Sequence, residues 1–250
     1  MQIGISLQNN WGIEDVQSII QLARRAEELG FASVWVHDHV FNAAHVFRRI
    51  GNKPYYEPLT LLSYVAACTQ RVGLGTSVLV LPYHNPLRLA KTAATLDVLS
   101  GGRLLLGVGV GGVPQESEAM GSPYAERGAI TDEAIAIMKE LWTKDEPSFA
   151  GTYYRFSGMP FSPKPLQQPH IPILIGGNSR AAIRRAVRCA ARQQRCEERN
   201  FTRTLQACSG PYGALEQPIG SSQGHQGRAH GGKMRHETRQ LLGLPYQRQH

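Results

Sequence analysis

Four short stretches of this 250-residue chain place reactive or ligand-binding residue types at the ends of apolar runs. The first is His37-Asp38-His39. A histidine near its free pKa gives or takes a proton at neutral pH, so the cluster is a candidate for catalysis or ligand binding. An HxH at a strand end is also a metal motif, but a metal centre needs further ligands at later strand ends. His84 is one candidate and no later strand end supplies another, so no metal set is assigned. The plainer alternative is a pair of strand-end histidines bonded to loops.

The second stretch is Gly75-Thr76-Ser77-Val78, whose small hydroxyl residues suit contact with a planar ring; on the residues alone, a twisted core strand with one glycine is the favoured reading. The third is Gly107-Val108-Gly109-Val110-Gly111-Gly112. A dinucleotide loop of the GxGxxG type should open directly into a helix and be followed by an acid about 20 residues on. Here Pro114 and a loop follow, so that reading is rejected, while close approach of a ring to bare backbone stays open. The fourth is Gly176-Gly177-Asn178-Ser179 before a helix. Free N–H groups and the helix dipole make it a phosphate cradle or, equally, an ordinary capped turn.

The elements that must position these residues centre on 72–112. Two apolar, β-branched runs, Val72–Leu81 and Leu104–Val110, flank a helix that Asn85 caps and Pro86 begins. Leu89, Ala93, Leu96 and Leu99 give that helix an apolar stripe, and Ser100-Gly101-Gly102 stops it. Strands apolar on both faces indicate a parallel sheet under helices. The same alternation covers the first 190 residues: strand Gln2–Leu7, helix Ile13–Leu29, strand Ala32–Val36, helix Pro58–Cys68, a helix from about Ala125 to Lys144, a hairpin Phe149–Phe156, strand Ile173–Ile175 and a helix from Arg180. Between them, 37–56 and 112–124 read as loops. About five strands in βα order fit a (β/α)8 barrel or a doubly wound sheet, and both gather functional groups at the C-terminal strand ends.

Composition narrows the function classes. The net charge is +8, but residues 191–250 hold nine Lys/Arg against four Asp/Glu, so +5 of it belongs to the tail. That is weak support for nucleic-acid binding by the folded part. No apolar run approaches the ~18 residues of a membrane span. No signal peptide is read at the N-terminus. Cys68, Cys189, Cys196 and Cys208 form no CxxC pair, which suits a cytoplasmic chain with free thiols. Residues 191–250 contain no valine, no aspartate and one isoleucine, but nine glutamines and eight glycines. They cannot bury much apolar area, and a barrel would still need about three more strands. The expectation is a barrel region over 1–190, incomplete at its C-terminus, followed by a disordered or frame-shifted tail over 191–250.

LPYHNPLRLAKTAATLDVLSGGRLLLGVGVG closely resembles the luciferase-like monooxygenase family, which includes oxidoreductases using the deazaflavin F420 or FMN. GFASVWVHDHV, GTSVLVLP, GTYYRF and PILIGGNSRAAIRRAVRCA support the likeness, which covers about residues 2–190 in the family's order; the tail does not match. The resemblance implies a (β/α)8 TIM barrel of the bacterial luciferase-like type, with the cofactor at its C-terminal face. Trp35, Asp38 and His39 resemble the F420 branch, where His39 matches a proton-transfer residue and Asp38 a position near the ring. Ser77-Val78, preceded by Thr76, matches a non-proline cis peptide that buttresses the ring. Gly107, Gly109 and Gly111 match the glycine strand end, and Gly176, Gly177, Asn178 and Ser179 a phosphate-contacting turn. Where some sugar-phosphate dehydrogenases of the family carry a catalytic glutamate, this chain has Gly112, so their substrate is not carried over; Glu116 is assigned to another position. The implied function is hydride transfer between F420 and a small organic substrate. The alternatives are an FMN-dependent monooxygenase or a truncated barrel that binds cofactor without catalysis. A homodimer is common in the family.

Overall fold

Asn85 Oδ1 accepts the Leu87 and Arg88 N–H groups at 3.1 and 3.2 Å in the computed structural model, which describes residues 2–193. The cap satisfies donors that a helix start leaves orphaned. Gly101 closes the same helix in the left-handed conformation at φ 71°, where a side chain would be strained. Between these two signals lies α4 (Pro86–Ser100). It packs the buried Leu89, Ala93 and Leu96 against a parallel sheet, while Leu99, expected in the same stripe, is 70% exposed one turn beyond them.

That sheet is built from β1 (Gly4–Ser6), β2 (Ser33–Val36), β3 (Gly73–Thr76), β4 (Leu79–Val80), β5 (Leu104–Gly109) and β8 (Ile173–Ile175). β1 pairs β2, β2 pairs β3, and β5 takes β3 and β4 along one edge and β8 along the other, every pair parallel. β3 and β4 therefore form one broken strand, with the cis peptide Ser77–Val78 at the break. Between the strands run α1 (Val16–Glu28), α3 (Pro58–Cys68), α4 and α6 (Arg127–Thr143), and α7 (Arg180–Gln193) follows β8. A small antiparallel hairpin, β6 (Phe149–Ala150) with β7 (Arg155–Phe156), hangs on Glu133, which accepts the N–H groups of Thr152, Tyr153 and Tyr154. The core is the sheet's Leu74, Leu104, Leu106 and Val108 under Ile137, Met138 and Trp142 of α6.

The structure adds two helices where the sequence reads as loop. α2 (Ala44–Ile50) buries only Val46 and Ile50, and α5 (Pro114–Ala119) only Glu116 and Ser117, so neither carries an apolar stripe. The single strand expected over Val72–Leu81 is corrected to the pair β3 and β4 followed by a 3-10 turn, Leu81–Tyr83. No described helix is long and apolar enough to cross a membrane. The tail expected to pack poorly over 191–250 lies, beyond residue 193, outside the described residues.

Candidate active site

In a parallel sheet of βα units the C-terminal strand ends share one face, and β2 delivers His37, Asp38 and His39 there on consecutive residues. His37 turns to its strand neighbours. Its Nδ1 lies 2.6 Å from the Ser77 carbonyl oxygen and its Nε2 3.1 Å from Ser6 Oγ. A carbonyl only accepts, so Nδ1 carries the proton and Nε2 accepts from the Ser6 hydroxyl. Burial holds the His37 pKa below the usual value, which suits this neutral tautomer. Asn9 fixes the backbone at the same point: its amide donates to the carbonyls of His37 and Tyr56 and accepts the His37 N–H.

Asp38 is buried, and its Oδ2 accepts both the Val80 N–H and His84 Nε2 at 2.9 Å. The residue expected near the ring as a catalytic group thus anchors β4 and aims His84 into a cavity of about 390 Å3 between the N-termini of α3 and α4. Of the two histidines that leave β2, His39 is the one with a ring nitrogen that has no hydrogen-bond partner among the described residues. Its Nδ1 sits 2.7 Å from Glu116 Oε2, and Nε2 has no hydrogen-bond partner among the described residues. Edge-on rings of His45 and Tyr55 flank it, with centroids 5.3 and 5.8 Å away. Burial, and then the Asp38 charge, raise the Tyr55 pKa, so it stays a neutral phenol at neutral pH. The buried Asn10 Oδ1 has no partner among the described residues. A buried unpaired acceptor is an invitation to a ligand donor.

The other expected ligand residues fall into two groups. Ser77 and Val78 are partly exposed beside His37 and form a shelf. Thr76, expected as a cofactor contact, is fully buried and donates Oγ1–H to the Gly107 carbonyl at 2.8 Å. Gly107 and Gly109 are buried as well. A Cβ on Gly109 would stand 2.6 Å from Val78 Cγ2, and one on Gly176 2.7 Å from Val78 Cγ1. A Cβ on Gly107 would collide with the Thr76 carbonyl oxygen. These glycines make room for the shelf. Gly111, at φ 79°, does the same for Val80. Gly177, Asn178 and Ser179 are exposed at the start of α7, but Ser179 Oγ is occupied by the Ala182 N–H it caps. Glu116, set aside in the sequence, is the residue the structure brings in. Pro114 at the first helical position of α5 was the signal for the turn that carries it.

Residues 1–191 match the model of the luciferase-like monooxygenase family. The chain belongs to that family. Its relatives include an F420-dependent glucose-6-phosphate dehydrogenase of Amycolatopsis mediterranei, 37% identical over 165 residues, covering 64% of this chain and 48% of the relative. An FMNH2-dependent dimethylsulfone monooxygenase of Pseudomonas putida is 32% identical over 181 residues, covering 71% and 47%. Among solved structures, an F420-dependent secondary alcohol dehydrogenase holding an F420–acetone adduct superposes with a TM-score of 0.57 at 29% identity, over 69% of this chain and 51% of that one. The fold is accordingly that of the luciferase-like barrels, with five parallel barrel strands in the described residues. The chain spans 47% to 64% of the length of the curated relatives it matches.

Proposed function

We propose that the chain is an F420-dependent oxidoreductase that moves hydride between the deazaflavin and a small organic substrate, with His39 exchanging the proton. The observation that supports this most is the division of labour after β2. Both ring nitrogens of His37 and Oδ2 of Asp38 hold neighbouring residues, while His39 Nε2 has no hydrogen-bond partner among the described residues. Two features suit a flat polar ring: Val78 offers a partly exposed apolar side chain, and Asn10 Oδ1 is a buried acceptor without a donor among the described residues. Bound there, the deazaflavin would supply the hydride acceptor or donor. With a hydroxyl substrate, the C–H electron pair leaves as hydride, the C=O bond forms, and the O–H proton passes to His39 Nε2. In the reverse direction His39 returns that proton to the new alkoxide.

Fluorescence titration of the full chain with F420, and with FMN in parallel, tests the cofactor. Saturable F420 binding is expected; preference for FMN would favour the monooxygenase reading that the dimethylsulfone relative supports. Once a substrate is found, His39→Ala should lower kcat by about 10²–10⁴-fold, the usual worth of a general acid–base, with F420 affinity kept. Unchanged turnover in His39→Ala would overturn the role given to His39.

A further inference from the structure

We propose that Glu116 is the positioning residue of this site: it fixes His39 in the Nδ1–H tautomer and so presents a bare Nε2 lone pair to the substrate. The inference rests on the reading of His39 as the proton-exchanging group. Its geometric basis stands without any cofactor.

Glu116 is 2% exposed, on the short α5 that follows the glycine end of β5. Both of its oxygens are used. Oε2 meets His39 Nδ1 at 2.7 Å, and Oε1 accepts the N–H groups of Val40 at 2.6 Å and Phe41 at 3.1 Å. Burial alone would raise the Glu116 pKa. The bonds from His39, Phe41 and Val40 outweigh it and hold the carboxyl below its usual range, so it is ionised at neutral pH. An ionised carboxylate only accepts, so the shared proton sits on Nδ1. One carboxylate thereby pins the loop after β2 and sets the ring that the loop carries. It also faces the imidazolium that forms when Nε2 takes a proton, as the buried aspartate does for the histidine of a serine-protease triad. Neither flanking ring competes for the proton. The Tyr55 phenol is held neutral, and burial lowers the His45 pKa, as does His39 once it is protonated.

Glu116→Gln makes the idea testable, because an amide has one acceptor where the carboxylate has two. If the amide oxygen stays with Val40 and Phe41, its NH2 faces His39 Nδ1 and donates to it. The ring proton must then move to Nε2. The experiment is a two-bond 15N–1H correlation spectrum of the full chain with 15N-labelled histidine, at a pH where the rings are neutral, with the His39 signals assigned from His39→Gln. Wild type is expected to show Nδ1 protonated and Nε2 bare, and Glu116→Gln the reverse. A wild-type ring protonated at Nε2 overturns the proposal and needs no variant to fold. An unchanged tautomer in a folded Glu116→Gln also overturns it. In turnover, Glu116→Gln should lower kcat by about 10²-fold or more, with KM within about threefold, and Glu116→Asp should recover part of the loss. A purely structural role predicts that the tautomer stays put while both variants lose stability alike, which refutes the proposal. If wild type binds no F420, the cofactor reading fails, and the spectrum still decides the role of Glu116.

Discussion

Gly109→Ala should injure the protein through Val78 alone. The new methyl would stand 2.6 Å from Val78 Cγ2, roughly 1 Å inside the ~3.5–4.0 Å optimum for carbon atoms. Gly109 is buried at the end of β5, where Val80 of β4 pairs with it, so the backbone has little freedom to yield. Val78 must therefore swing outward. Forcing an extra methyl into such a site costs about 1–3 kcal/mol. For a domain of this size each kcal/mol is worth about 2–4 °C, so the loss is roughly 2–12 °C in Tm. Gly112→Ala is the control, since a Cβ there meets nothing within 4 Å. The decisive assay is a double-mutant cycle by urea unfolding with Val78→Ala, which removes Cγ2. In the Val78→Ala background the Gly109→Ala penalty should shrink by at least about 1 kcal/mol. F420 affinity should fall in Gly109→Ala because the displaced side chain is the proposed shelf. Additive effects of the two substitutions, or a Gly109→Ala protein as stable as Gly112→Ala, would refute the reasoning.

Arg103, at the opposite end of β5, donates to the carbonyls of Ser100, Ala66, Thr69 and Val72 and to Thr69 Oγ1. Arg103→Ala should cost about 2–4 kcal/mol in urea unfolding, because several acceptors lose one charged donor, and should leave F420 affinity unchanged. Asp38→Ala strips the acceptor from the Val80 N–H and releases His84, so a loss of about 1–3 kcal/mol is expected together with weaker F420 binding. Acid should destabilise the wild type in two stages, measured by urea unfolding between pH 7.5 and 4. Burial depresses the pKa values of His37 and His170 in the fold, so below about 6.5 the unfolded chain binds protons that the folded one refuses, and stability falls by up to about 1.4 kcal/mol per pH unit for each group. Glu116 acts lower down: its stabilisation is complete above the usual 4.5 and is lost as pH falls through its depressed folded value.

The elements that announce themselves in the sequence are those with a cap, a stripe and a stop. Asn85, Pro86, the Leu89–Leu96 spacing and Gly101 define α4 to the residue, and Pro58 opens α3 in the same way. α2 and α5 lack a stripe because each is a short turn lying over the strand ends, and burial periodicity has nothing to act on. The glycine pattern was visible but its beneficiary was not. A missing side chain shows that something comes close, and at 107, 109 and 176 the neighbour is Thr76 or Val78 of the same chain. Residue type likewise pointed to His37, Asp38 and His39 together, while only tertiary partners separate them.

That separation has a physical origin. Three consecutive residues leaving a strand point in different directions, so one strand end can reach three neighbours at once. His37 reaches Ser6 of β1 and the Ser77 carbonyl, Asp38 reaches Val80 of β4, and His39 reaches Glu116 of α5. Each tie removes freedom from the next residue along the chain. With His37 and Asp38 anchored on one side and the Val40 and Phe41 N–H groups held by Glu116 on the other, the backbone at His39 is restrained from both directions, and Glu116 also restrains the ring by holding Nδ1. A proton-exchanging ring is most useful when its reactive nitrogen is placed before the substrate arrives, since no reorganisation is then needed during the reaction. On this argument the loss on cutting any one tie should appear in kcat as well as in stability. Cutting the Arg103 network, which touches none of the three, should appear in stability alone.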